Sequence, residues 1–148
     1  VEAIIFIGIQ ATGKSTFYKE RFFNSHVRIS LDLLNTKNKQ NKFLQTCLDT
    51  QSKFVIDNTS PLQKDREGII QAAKEKKYKI VGYYFNSSIQ DAIERNNERK
   101  GKAKIPEIGI KGCYSKLQIP SYDEGFDELY YVSIQDGSFI ISDWKNEI

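Results

Sequence analysis

The run Ala3-Ile4-Ile5-Phe6-Ile7, followed by Gly8-Ile9-Gln10-Ala11-Thr12-Gly13-Lys14-Ser15-Thr16, decides the fold. Its second half fits the spacing G-x-x-x-x-G-K-S/T at every position. A strand-like run precedes it and a helical pattern follows, which is the context the spacing requires. The glycines let the chain wrap so that successive N–H groups converge on phosphate at the positive end of a helix. Gly8, Ile9, Gln10, Ala11, Thr12, Gly13, Lys14, Ser15 and Thr16 are therefore candidate ATP contacts. Lys14 is expected along the β and γ phosphates, and Ser15 presents its hydroxyl to Mg²⁺.

Outward from this loop, the chain alternates apolar runs with helical patterns. Ala3–Ile7, Val27–Ile29, Phe54–Ile56, Lys79–Phe85 and Leu129–Ile134 read as strands. Helices are expected from the loop after Gly8 through Phe22, over Lys39–Gln51, from Ser60-Pro61 onward, after Ser88, and within Glu107–Leu117. Ser60 is read as an N-cap with Gln63 as its capping-box partner, and Ser88 with Asp91 repeats the signal. Asp136-Gly137 between Leu129–Gln135 and Ser138–Ile141 suits a hairpin whose central residues need positive φ. The expectation is an α/β fold: a mostly parallel five-stranded sheet, helices on both faces, and an antiparallel hairpin at the end.

Composition narrows the function. The 148 residues suit one domain, and their 39% apolar and 28% charged fractions are those of a globular protein. The longest apolar stretch, Ala3 to Ile9, is far short of the roughly 20 residues of a membrane helix, so no membrane association is expected. With 2 cysteines, Cys47 and Cys113, and 1 histidine, His26, a zinc site of the usual kind lacks ligands. Serine-hydrolase or cysteine-protease chemistry would have to use His26, which sits in a polar turn and reads as a surface residue. The thiols fit small buried groups in a reducing cytoplasm. Charge is uneven: residues 1–119 carry 21 basic and 12 acidic side chains, whereas residues 120–148 carry 1 and 7. An anionic ligand is expected on the first part.

No N-K-x-D string for guanine occurs, and Asp57, at the end of Phe54-Val55-Ile56, is followed by Asn58 rather than a water-polarising Glu. Transfer to an acceptor hydroxyl is therefore favoured over hydrolysis. Asp57 is expected to hold Mg²⁺ through water or to bond Ser15. Asp32, just past Val27–Ile29, is either a base for the acceptor hydroxyl or a helix N-cap. Arg95 and Arg99 share a helix face at i, i+4 and precede the Lys100–Lys104 segment that ends at Pro106. They are either a lid over the transferring phosphate or a surface ion-pair pattern.

At this point the residues resemble the 5′-hydroxyl polynucleotide kinases among P-loop kinases. Gly8–Thr16 resembles their phosphate loop, Ile29-Ser30-Leu31-Asp32 the segment ending in their general base, and Val55-Ile56-Asp57-Asn58-Thr59 their Asp-Asn-Thr strand end. Arg66 matches an arginine shortly after it. Arg95-Asn96-Asn97-Glu98-Arg99 with Ile105-Pro106 resembles the lid, and Pro120 with Glu124-Gly125-Phe126 the turn before the last strand. The resemblance implies a nucleoside-monophosphate-kinase type fold filling residues 1–148 with a lid at about 95–106, and no room for a phosphatase domain. It implies Asp32 as the base, Lys14 and Ser15 on ATP and Mg²⁺, Arg95 and Arg99 as the lid, and Thr59 and Arg66 near a nucleic-acid acceptor. The chain departs from the family at Leu31 and Asn35, where acceptor-side arginines are usual. That keeps a small-molecule hydroxyl, on a sugar, nucleoside or antibiotic, as the alternative acceptor. A nucleotide-binding module without transfer is a third reading. For a nucleic-acid channel, Lys37, Lys39, Lys42, Lys53 and Lys64 are the expected lysines.

Overall fold

A computed structural model describes residues 1–86 and 88–145. Six strands form one sheet in the order β2-β3-β1-β4-β5-β6: β1 (Glu2–Ile7), β2 (Val27–Ile29), β3 (Phe54–Ile56), β4 (Lys79–Phe85), β5 (Glu128–Gln135) and β6 (Ser138–Asp143). The first five are parallel and β6 runs antiparallel to β5. The expected sheet is thus present, with β6 reaching two residues past Ile141. Asp136 and Gly137 turn the hairpin at φ 51° and 76°, as its tight geometry demands.

β1 is central, and its uninterrupted apolar run is buried on both faces. Ala3, Ile5 and Ile7 face one layer, where α3 (Lys37–Thr50) supplies Leu44, Cys47 and Leu48, and α4 (Gln63–Glu75) supplies Ile70 and Ala73. Ile4 and Phe6 face the other, against Phe17, Tyr18 and Phe22 of α1 (Lys14–Arg21) and its C-cap. A third cluster joins the loop residues Ile9 and Ala11 to Ala92 and Ile93 of α5 (Ile89–Asn97) and Ile110 of α6 (Glu107–Lys116). The phosphate loop therefore rests on the main sheet from below and on the two C-terminal helices from the side.

Helix boundaries follow their caps. The α3 helix starts at Lys37, two residues before the expected start, because the Thr36 hydroxyl accepts from the Lys39 amide at 3.1 Å. The α4 helix is not capped by Ser60. Ser60 has φ 43°, outside any N-cap geometry, and its carbonyl is taken by Arg66. Leu62 occupies the N-cap instead, and its amide donates to the Asp65 carboxylate at 3.1 Å. The Ser88 hydroxyl does cap α5, accepting from the Asp91 amide at 3.1 Å.

His26 is not a surface residue. Its side chain is 6% exposed, bridging the Ser25 hydroxyl at 2.6 Å and the Glu2 carboxylate at 2.8 Å, with its ring edge-on to Phe22. Both cysteines are free thiols, and burial pushes each up from its ordinary pKa. No helix among the described residues is long and apolar enough to cross a membrane.

Candidate active site

The loop from Gly8 to Ser15 leaves β1 at its carboxyl end and enters α1 without a side-chain cap. Gly8 lies where a Cβ would stand 2.9 Å from the Cβ of Phe85, so only glycine lets β1 and β4 close at this point. Gly13 turns the chain into α1 at φ 91°. The amides of residues 9–16 donate to no described carbonyl or side chain, although Ile9, Ala11 and Thr12 are buried. Buried amides without acceptors are costly, and a row of them at a helix start is a ready anion cradle. The residues therefore fit a polyphosphate.

Lys14 folds back over this cradle. Its ammonium donates to the Gly8 carbonyl at 3.0 Å and the Ile9 carbonyl at 2.6 Å. Burial lowers its pKa from 10.5 to about 8. Asp57 acts against that shift, as Asp32 does to a smaller extent, while Arg99 adds to it. The buried ammonium thus feels the charges of Asp57 and Asp32, from the sheet's carboxyl edge, and of Arg99, just past α5.

The Ser15 hydroxyl donates to Asp57 Oδ2 at 3.0 Å, and the Asp57 side chain is only 2% exposed. A hydroxyl beside one buried carboxylate suits Mg²⁺, which keeps several waters and takes its other ligands from phosphate. No cluster of three or more His, Cys, Asp or Glu is found among the described residues, so an all-protein metal cage is not what this site offers. Arg28, absent from the sequence reading, completes the group. Its Nε donates to Asp57 Oδ2 at 2.8 Å and its Nη2 to Ser15 Oγ at 3.1 Å. The only sequence signal was a charged residue inside a three-residue strand. Arg28→Met removes the countercharge of a buried carboxylate. The expected loss is about 1.5–3 kcal/mol, read from the urea midpoint at unchanged slope, and millimolar Mg²⁺ should recover part of it.

Asp32 is exposed on the one-turn helix α2 (Leu31–Leu34), and no described residue hydrogen-bonds its carboxylate. The N-cap position belongs to Ser30, which removes the capping reading. Beside α2 lies a cavity of about 590 Å³ lined by Leu31, Lys37, Gln40, Asn58, Thr59 and Lys64 among others. Of the five expected lysines, only Lys37 and Lys64 line it. Lys42 borders a separate cleft with Val27 and Phe43.

Arg66 does not belong to this cavity. It is 0% exposed and makes a two-pronged pair with Glu124, Nε to Oε1 at 2.8 Å and Nη2 to Oε2 at 3.0 Å. Its Nη1 donates to the Ser60 carbonyl at 2.9 Å. The matched arginine and the Glu124-Gly125-Phe126 turn are therefore partners in one buried clamp, which fixes the β3–α4 loop from behind.

The lid pair divides its work. Arg95 Nη1 donates to the Ala11 carbonyl of the phosphate loop at 3.2 Å, and Arg99 Nη1 to the Ala103 carbonyl at 3.3 Å. Between them Asn96, buried, clasps Ile105: its Nδ2 donates to the Ile105 carbonyl at 2.6 Å, and its Oδ1 accepts from the Ile105 amide at 2.8 Å. That closes the loop through Lys100–Lys104.

A sheet of order β2-β3-β1-β4-β5 with this loop after β1 superposes on a gluconokinase from Sinorhizobium meliloti at TM-score 0.64. The match covers 89% of this chain and 82% of that one at 15% identity. The fold is that of the P-loop kinases. Kti12 from Chaetomium thermophilum, solved in complex with ADP-AlF3, superposes at TM-score 0.64 over 90% of both chains at 16% identity. In sequence, the chain is 30% identical over 132 residues, 86% of its length, to the bifunctional polynucleotide phosphatase/kinase of Schizosaccharomyces pombe. It spans about a third of that protein, 32%. No family model matches the chain. The sequence resemblance to polynucleotide kinases thus extends over most of this P-loop kinase fold.

Proposed function

We propose that residues 1–148 act as one kinase domain that moves the γ-phosphoryl group of ATP to the 5′-hydroxyl of a DNA or RNA end. The observation that carries the reading is an acceptor-free amide cradle after β1 and an exposed Asp32, bonded to no described residue, after β2, both at the carboxyl edge of one parallel sheet. Residues 8–16 hold the phosphates, and Ser15 and Asp57 hold Mg²⁺, which when bound neutralises phosphate charge. Asp32 takes the proton of the attacking hydroxyl and aims its oxygen in line. Arg95 and Arg99 stabilise the charge that develops and exclude water. Thr59, Lys37 and Lys64 face the acceptor. The free thiols suit a reducing, cytoplasmic setting, and a separate phosphatase or ligase is a natural partner for such a product.

One observation favours the second reading, a small-molecule alcohol. Leu31 lines the acceptor cavity where the resembled family has an arginine, and about 590 Å³ suffices for a sugar or nucleoside. ATP consumption measured against oligonucleotides, nucleosides and sugars separates the two. If the acceptor is a polynucleotide, turnover at subsaturating substrate should fall steeply between about 50 and 200 mM salt, since released counterions then compete. A neutral sugar acceptor gives no such slope.

A further inference from the structure

Asn58, on the wall of the acceptor cavity, makes a pair of side-chain bonds within the protein. Its Oδ1 accepts from the Leu31 amide at 2.8 Å, and its Nδ2 donates to Gln40 Oε1 at 2.8 Å. The amide orientation is forced: Leu31 N–H can only donate, so Oδ1 must face it, and Nδ2 is left for an acceptor. Leu31 is the first residue of α2 and the neighbour of Asp32. A single helical turn cannot hold its own geometry, because nucleation fixes several dihedrals for one hydrogen bond. The residue that should cap it, Ser30, is buried and its hydroxyl makes no hydrogen bond among the described residues. The acceptor is supplied from the end of the neighbouring strand β3 instead. Gln40, 8% exposed on α3, anchors the other end of the Asn58 side chain.

We propose that Asn58 and Gln40 are positioning residues that set where Asp32 stands relative to Asp57, the metal-side carboxylate one residue before Asn58. This rests on Asp32 acting as the base. The dipeptide Asp57-Asn58 leaves buried β3 as a rigid unit, so metal side and acceptor side are registered to each other through one backbone position.

The test has two arms. In amide hydrogen exchange by NMR, the Leu31 amide should be protected in the parent chain and exchange rapidly in Asn58→Ala, with most β1 and β3 amides unchanged. A Leu31 amide that exchanges freely in the parent overturns the tether whatever the substrate is. In transfer to a 5′-hydroxyl oligonucleotide, Asn58→Ala should lower kcat about 10–100-fold while changing KM for ATP less than about threefold. Gln40→Leu, the milder variant, should show the same split at smaller size. Asp32→Ala/Asn58→Ala should be no worse than Asp32→Ala alone within about threefold, as expected of groups acting through one another. Losses that multiply overturn the positioning role and leave the kinase reading standing. An Asp32→Ala protein with full transfer overturns the base assignment and this proposal with it.

Discussion

Asp32→Asn is expected to lower phosphoryl transfer about 10²–10⁴-fold while ATP affinity stays within a few fold. Asparagine keeps the size of aspartate but cannot take a proton. Because the Asp32 carboxylate is exposed and bonded to no described residue, its replacement should disturb nothing else, and the thermal midpoint should barely move. Single-turnover rates beside calorimetric titration with a non-hydrolysable ATP analogue read both quantities. A variant that loses ATP affinity in step with rate would place Asp32 on the nucleotide rather than on the acceptor.

The second large effect concerns stability. Arg66→Met should cost about 3–5 kcal/mol, because it leaves the Glu124 carboxylate, 4% exposed, without its countercharge. Adding Glu124→Leu should recover only part of that loss: the buried charge is gone, but the Ser60 carbonyl and the Ser121 amide are left without the partners that Arg66 and Glu124 supply. Denaturant midpoints of the two variants measure the difference. The folded double variant should also transfer phosphate with an unchanged KM for the acceptor. A raised acceptor KM would return Arg66 to the substrate-contacting role that the family resemblance implies.

That reversal shows what the sequence could carry. The phosphate loop, the five parallel strands and the closing hairpin were legible because each is local: a spacing of eight residues, short runs of apolar and β-branched residues, a positive-φ pair. The functional readings of Lys14, Ser15, Asp57 and Asp32 attach to strand ends, where open parallel sheets place their ligands. What escaped was pairing over distance. Arg66 and Glu124 lie 58 positions apart, Arg28 and Asp57 29, and Leu31 and Asn58 27. No periodicity links such partners, so nothing local marks Arg66 as half of a buried clamp or gives Arg28, Gln40 and Asn96 a role. The Ser60 cap failed for a related reason. Its carbonyl answers to Arg66, a tertiary demand that outweighs a local capping preference.

The uneven charge also has a place in the fold. The acidic final segment holds Glu124, which neutralises Arg66 inside the clamp, while Lys14 and Arg95, from the basic part, bond carbonyls of the phosphate loop.

The most direct measurement is transfer of labelled γ-phosphate from ATP to a 5′-hydroxyl oligonucleotide at about 50 and 200 mM salt, beside Lys14→Ala and a panel of nucleosides and sugars. The account predicts label on the oligonucleotide 5′ end, less of it at the higher salt, and none with Lys14→Ala. Label absent from the oligonucleotide at both salts, with a sugar or nucleoside labelled instead, would contradict it.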